Sequence, residues 1–133
     1  MKRETILENE HFSLWYYPEE KIIHHKLHKF IYGEAFKSCL NRGTEALQEI
    51  KATKWLSDDR LNAALSEEDS VWGRDDWLPR TVKAGWKFWA LVMPEKATGQ
   101  MMMRRLIKDM AEQGLTIEVF DDVDEALAWL KNQ

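Results

Sequence analysis

Four polar residues that could bind a ligand stand together after a short apolar segment. They are Ser57, Asp58, Asp59 and Arg60, and the segment before them is predicted to be a strand. Carboxylates and a guanidinium form charge-assisted hydrogen bonds, and a serine hydroxyl can donate a further one. Because α/β proteins bind ligands beyond the carboxyl ends of parallel strands, we predict these residues as contacts of a binding site. The alternative is that they solvate a loop and cap a helix.

Three histidines, His24, His25 and His28, lie in one predicted strand. Side chains alternate along a strand, so His24 and His28 share one face and His25 lies on the other. At a rise of about 3.3 Å per residue, His24 and His28 are roughly 13 Å apart, too far to share a metal ion without a bend. No Cys-x-x-Cys or His-Glu-x-x-His motif accompanies them, and we predict no metal site.

The sequence contains no recognisable catalytic motif. General acid-base chemistry needs a positioned pair of groups, and a serine nucleophile needs a base within reach. Ser57 lacks the Gly-x-Ser-x-Gly setting of hydrolase nucleophiles. The 6 glycines are scattered rather than gathered into a phosphate-binding loop. We therefore expect a protein that is not an enzyme and that uses no cofactor.

Residues 72–80 are the part of the chain best suited to cover a pocket or to dock a partner. This segment carries Trp72, Trp77 and Arg80, and Pro79 predicts a kink or break near Trp77. An aromatic helix of this kind can act as a lid or a docking surface, with core packing as the alternative. As a lid it would cover a pocket for a small apolar or lipid-like ligand, lined by tryptophan and methionine side chains.

Composition limits the possible partners and compartments. The chain has 133 residues, enough for one domain, and a net charge of -4, which argues against nucleic acid as a partner. The one cysteine, Cys39, cannot form an internal disulfide and is predicted to be buried on a helix. No apolar run approaches the ~18 residues that span a bilayer, and the amino-terminal residues lack the apolar core of a signal peptide. We expect a cytoplasmic protein with no membrane span.

Hydrophobic periodicity predicts the element order β-β-α-β-α-β-α-β-α. An opening hairpin joins residues 12–17 to residues 22–30 through a turn that begins at Pro18. Later strands are predicted at residues 53–57, 86–93 and 115–120, and helices from residue 31, from residue 66, over residues 98–113 and after residue 122. Right-handed crossovers make the later strands parallel, so only the hairpin contributes an antiparallel edge. The predicted fold is an α/β sheet of about five strands with four or five helices.

Four segments resemble bacterial proteins of the SpoIIAA-like group, which are related to STAS domains. They are the opening hairpin, residues 54–60 (KWLSDDR), residues 72–80 with their DWLPR core, and residues 126–130 (ALAWL). The resemblance spans nearly the whole chain and implies a STAS-like mixed sheet with helices packed on it. For the wider superfamily it implies a role in protein docking, nucleotide sensing or ligand binding.

The same resemblance directs attention to Ser66. In anti-sigma-factor antagonists, a helix that begins Asp-Ser-Ser-Gly carries a serine whose phosphorylation breaks a complex with a kinase partner. The corresponding helix start here is Leu65-Ser66-Glu67-Glu68-Asp69. Acids replace the second serine and the glycine, and they would repel a phosphate or an approaching nucleotide. We predict that Ser66 caps the helix, with a phosphorylation site as the alternative.

Two functions remain open from the sequence. The first is a non-enzymatic protein-interaction or sensing module that uses residues 72–80 and the Asp58–Arg60 loop, with a protein partner or a second copy at the hairpin edge. The second is a small domain that binds an apolar or lipid-like ligand. An apolar cavity beneath residues 72–80 favours the second function. A filled core with Trp72 or Trp77 exposed favours the first.

Overall fold

The computed structural model describes all 133 residues and contains one mixed six-stranded sheet in sequential order. Its strands are β1 (Glu4–Glu8), β2 (Phe12–Tyr17), β3 (Ile22–Leu27), β4 (Lys54–Asp58), β5 (Phe88–Val92) and β6 (Thr116–Phe120). Strands β1, β2 and β3 pair antiparallel, whereas β3, β4, β5 and β6 pair parallel. The predicted α/β class, the antiparallel hairpin and the parallel remainder are confirmed.

Strand β1 is an addition that the sequence analysis missed. Its sequence, Glu-Thr-Ile-Leu-Glu, has acids at both ends, and only Ile6 is partly buried and packs against the core. Such a segment has too few inward-facing apolar residues to show a clear strand pattern. Since β1 pairs with β2, β1 forms the antiparallel edge of the sheet. The prediction that the hairpin forms this edge is wrong, and a second copy cannot pair there without displacing β1.

The helices are α1 (Gly33–Ile50), α2 (Glu67–Trp72), α3 (Leu78–Lys83), α4 (Ala97–Ala111) and α5 (Val123–Lys131). A π-helical turn, Gly73–Trp77, joins α2 to α3 without a break, so the five segments make four helices. Pro79 has no N–H to donate to the preceding turn, which explains an irregular helix at this point. Of the kink or break predicted near Trp77, the break is wrong, because the helix continues through this irregular turn. None of these helices is both long and apolar enough to cross a membrane.

Two layers of helices cover the sheet unequally. The crossovers from β3 to β6 all move in one direction across the sheet, and their right-handedness places α1, α2–α3 and α4 on the same face. A cluster of 21 buried apolar residues lies on that face. Helix α5 packs on the opposite face against β4, β5 and β6, over a cluster of 7 buried residues.

Tryptophans fill the centre of the larger core. Trp55, Trp77, Trp86 and Trp89 pack with neighbouring ring centroids 5.1 to 5.8 Å apart. Gly43 of α1 lies directly over the Trp55 ring, and a Cβ at this position would overlap the ring. The absence of a side chain at Gly43 therefore allows α1 to approach the sheet.

Candidate functional site

Asp58 and Arg60 form an ion pair with each other. Asp58 ends β4 and is buried, and Arg60 donates from Nε and Nη2 to its two carboxylate oxygens at 2.9 and 2.8 Å. Burial by itself would raise the pKa of Asp58, but the hydrogen bonds and charge of Arg60 outweigh it, so the pKa lies below its usual value. The carboxylate is thus ionised, and both of its oxygens are occupied within the chain.

Ser57 and Asp59 lie on the larger-core side of the sheet, away from that ion pair. The Trp89 indole donates to Ser57 Oγ at 2.8 Å. The Trp55 indole donates to His25 Nδ1 at 3.0 Å, and His25 Nε2 is 2.8 Å from Asp59 Oδ1. Since an indole N–H can only donate, Nδ1 must accept, and the Nε2 proton is donated to Asp59. The structure therefore does not bring the four predicted contacts together around one ligand, and their role as ligand contacts stays a prediction.

The Asp59 carboxylate is expected to stabilise the fold through His25. Asp59→Ala would leave the buried Nε2–H of His25 without an acceptor, a loss of about 1–3 kcal/mol of unfolding free energy. Asp59→Asn keeps an acceptor oxygen of the same shape and is the matched control. Urea unfolding followed by circular dichroism measures both changes. Equal losses in the two variants would show that the hydrogen bond to His25 is not what matters.

Trp77 is a core residue. It is 4% exposed, and its ring packs against Trp55 and Trp86. Its indole N–H donates to Thr44 Oγ1 at 2.9 Å, with the Leu40 carbonyl at 3.2 Å. For Trp77 the structure therefore supports the core-packing alternative over the docking role.

Trp72 and Arg80 reach the surface. Trp72 is half-buried, meets Phe36 edge-on with centroids 6.0 Å apart, and carries the Lys37 ammonium 5.6 Å above its ring. Arg80 is exposed and donates to Asp76, one turn earlier, at 3.2 Å. Arg80 also donates to Asn41 of α1 at 2.7 Å, so both side chains lie where the α2–α3 helix meets α1, and their contact with a partner stays a prediction.

Ser66 caps α2, as predicted. Its Oγ accepts a hydrogen bond from the Asp69 backbone N–H at 3.1 Å, and its side chain is at the surface. Glu67 and Glu68 follow in the first turn of the helix. The cap uses the hydroxyl that a phosphate would modify, and the phosphorylation hypothesis stays untested.

The three histidines follow the predicted alternation. His24 lies on the α5 side, with Nδ1 2.9 Å from the Tyr17 hydroxyl and Nε2 without a hydrogen-bond partner. Burial is the main cause that lowers the pKa of His24 to about 3. His28 Nε2 lies 2.8 Å from Ser13 Oγ. No three His, Cys, Asp or Glu side chains are grouped to hold a metal ion.

An apolar cavity lies beneath the π turn, between the helices and the sheet. Its volume is about 50 Å³, and 11 of its 18 lining residues are hydrophobic. Phe36, Trp77, Met103 and Met110 form much of its wall, and Ser57, Asp59 and Asn62 form a polar end. A water molecule takes about 30 Å³ of liquid volume, and sites for drug-sized ligands take about 300–1,000 Å³. In this structure the cavity is too small for a lipid-like molecule.

Most of the exposed large apolar residues lie on segments that follow the carboxyl ends of parallel strands. Eight large hydrophobic residues are exposed, and five of them belong to the loops after β3 and β4, to α2 and to the start of α4. We call these five the carboxyl-end surface: Phe30, Tyr32, Leu61, Val71 and Met101. Sequence reasoning missed this surface, because aromatic and aliphatic residues beside a strand are ordinarily assigned to the core.

Hydrogen bonds hold the segments of the carboxyl-end surface side by side. Asn62 Oδ1 accepts from the Ile31 backbone N–H at 3.2 Å and so joins the loops after β3 and β4. Asp69 Oδ2 accepts from the Gly33 N–H at 2.9 Å and joins the start of α1 to α2. The segments that carry Phe30, Tyr32, Leu61 and Val71 are therefore fixed to one another.

Comparison with known proteins gives no family. No family model, curated protein or solved structure matches this chain. The resemblance to the SpoIIAA-like group thus stays a prediction.

Proposed function

We propose that this protein is a non-enzymatic interaction or sensing module of the SpoIIAA-like, STAS-related type, and that it docks a protein partner on the carboxyl-end surface. The observation that carries the proposal is the gathering of five of the eight exposed large apolar side chains at one end of the sheet. Single exposed apolar residues are normal on a soluble protein, whereas a group of them indicates an interaction site. Aromatic and methionine side chains are also enriched where proteins meet.

Preorganisation supports the same proposal. The surface is built on segments that Asn62 and Asp69 tie together, so docking would require little ordering of the chain. Low ordering cost leaves more of the contact energy for affinity. Ligand sites of α/β sheets also lie at this end of the strands.

The polar groups at the end of β4 form hydrogen bonds within the chain, which supports a non-enzymatic role. Asp58 is bound by Arg60, His25 by Trp55 and Asp59, and Ser57 by Trp89, so these polar groups are hydrogen-bonded within the chain. None of these pairs places a nucleophile beside a base that is free to act.

Affinity capture from the native host tests the docking proposal. Leu61→Asp with Val71→Asp places two charges on the carboxyl-end surface, and Val119→Asp places one on an exposed apolar residue of β6 as the control. We expect a partner, identified by mass spectrometry, that the wild type and the β6 variant retain and the double variant loses by at least tenfold. Equal retention by all three proteins would overturn the role of this surface.

The cavity supports a second candidate function, the binding of a small apolar molecule. Met103 and Met110 in its wall are flexible side chains that can repack around a guest. A Cβ at Gly73, which also lines the cavity, would meet no atom within 4 Å, so there is free space at this wall. Native mass spectrometry of freshly purified protein tests this candidate. A bound mass displaced by heating with detergent would support it, and the bare chain mass alone would count against it.

A further inference from the structure

A notch opens in the carboxyl-end surface between the loop after β3 and the first turn of α2. Its volume is about 420 Å³, and it is lined by Phe30, Tyr32, Gly33, Ser66, Glu68 and Asp69. No basic side chain is among the residues that line it. The notch therefore combines aromatic and acidic walls without an internal positive charge.

Two aromatic rings form one wall of the notch. Phe30 and Tyr32 have ring centroids 5.6 Å apart with planes inclined at 31°, and the residues are 46% and 65% exposed. Aromatic faces left open to solvent attract cations, because the ring carries negative charge density on its face.

Carboxylates form the other wall. Asp69 is only 3% exposed, and one of its oxygens accepts from the Gly33 N–H at 2.9 Å. Its other oxygen accepts no hydrogen bond from the chain, so a donor in the notch can reach a carboxylate that is shielded from bulk water. Glu68 stands exposed on the same wall.

The nearest lysines along the chain have partners of their own. The Lys29 ammonium lies 3.3 Å from Glu10, and the Lys37 ammonium lies over the Trp72 ring. The acidic wall is therefore left to attract a positive charge from outside the chain. The overall charge of -4 acts in the same direction.

We propose that this notch binds an arginine side chain of the docked partner. The inference rests on the proposed function and adds to it the chemistry of one partner residue. A planar guanidinium can lie on the Phe30 and Tyr32 faces while it donates paired hydrogen bonds to Glu68 or one to the free oxygen of Asp69. A lysine ammonium is not planar and cannot stack on the aromatic wall while it donates paired hydrogen bonds to the acidic wall. The two walls together therefore favour arginine.

A titration of the ¹⁵N-labelled full chain with acetylated hexaarginine amide tests the inference. We expect amide shifts centred on Gly33 and on residues 66–69, with binding at least threefold tighter than that of hexalysine. Tyr32→Leu and Glu68→Gln should each weaken binding at least fivefold. Glu118→Gln, which removes an exposed carboxylate on β6, is the matched control and should change nothing.

Shifts spread over acidic residues of the whole surface, or equal affinity in the Tyr32 and Glu68 variants, would overturn the notch assignment. The dispersed amide spectrum of each variant shows that it is folded. Failure here is distinct from failure of the docking proposal. If the captured partner still depends on Leu61 and Val71 while hexaarginine binds nowhere in particular, only the arginine assignment is lost.

Discussion

Trp77→Ala is expected to lower the free energy of unfolding by roughly 3–5 kcal/mol, the usual loss for a large aromatic side chain removed from a packed core. The ring is 4% exposed, packs on two other tryptophans, and satisfies its N–H through Thr44. Its removal opens a void next to a cavity that already exists beneath the π turn. The more the neighbouring side chains collapse into the void, the closer the loss lies to the lower end of this range.

Trp72→Ala is the matched comparison for Trp77→Ala. Trp72 is half-buried and makes one edge contact with Phe36, so its loss should be clearly smaller. Urea unfolding followed by far-ultraviolet circular dichroism is suitable, because fluorescence itself changes when a tryptophan is removed. Equal losses for the two variants would contradict the assignment of Trp77 to the core and Trp72 to the surface.

Lowering the pH from 6.5 to 4.5 is expected to remove roughly 2 kcal/mol of unfolding free energy through His24, because the loss begins near pH 6.5 and approaches about 1.4 kcal/mol per pH unit below it. In the folded chain burial lowers the pKa of His24 to about 3, from an ordinary value of 6.5. Between these two values the unfolded chain takes up a proton that the folded chain excludes. Stability from this group is therefore full above pH 6.5 and falls steadily as the pH drops towards 3.

His24→Gln isolates that contribution, because glutamine does not titrate and its amide can still form a hydrogen bond with the Tyr17 hydroxyl in either direction. The variant is expected to be less stable at pH 7 through lost packing, but its stability should change far less between pH 6.5 and 4.5. Urea unfolding at both pH values, in wild type and variant, gives the difference. Parallel losses in the two proteins would mean that His24 is protonated in the folded chain.

Several elements could be predicted because their cause is local. Proline and acids between an aromatic run and a second extended run predicted the hairpin, and the apolar run at residues 86–93 predicted strand β5 (Phe88–Val92), which is paired on both sides but lies next to the edge strand β6. Serine before three acids predicted the cap of α2. Strand β1 is different, since its residues carry only one inward apolar side chain and its strand conformation depends on pairing with β2.

The site depends on contacts between distant parts of the chain. His25 and Asp59 are 34 residues apart, and the parallel register of β3 with β4 brings them together. Alternation along β4 could have shown that Ser57 and Asp58 point to opposite faces. Exposure of Phe30 and Tyr32 could not have been predicted, because it depends on how the loop after β3 meets α2, and hydrophobicity alone assigns both residues to the core.

Site-specific photo-crosslinking in the native host tests the docking proposal most directly. A benzoylphenylalanine at position 32 lies on the carboxyl-end surface, and one at position 119 replaces an exposed apolar residue of the edge strand β6, which contributes no residue to that surface. We predict one discrete adduct from position 32, containing the same partner that affinity capture identifies, and its loss when Leu61 and Val71 become aspartate. Equal adducts from positions 32 and 119, or an adduct at 32 that survives the double aspartate change, would contradict docking on this surface.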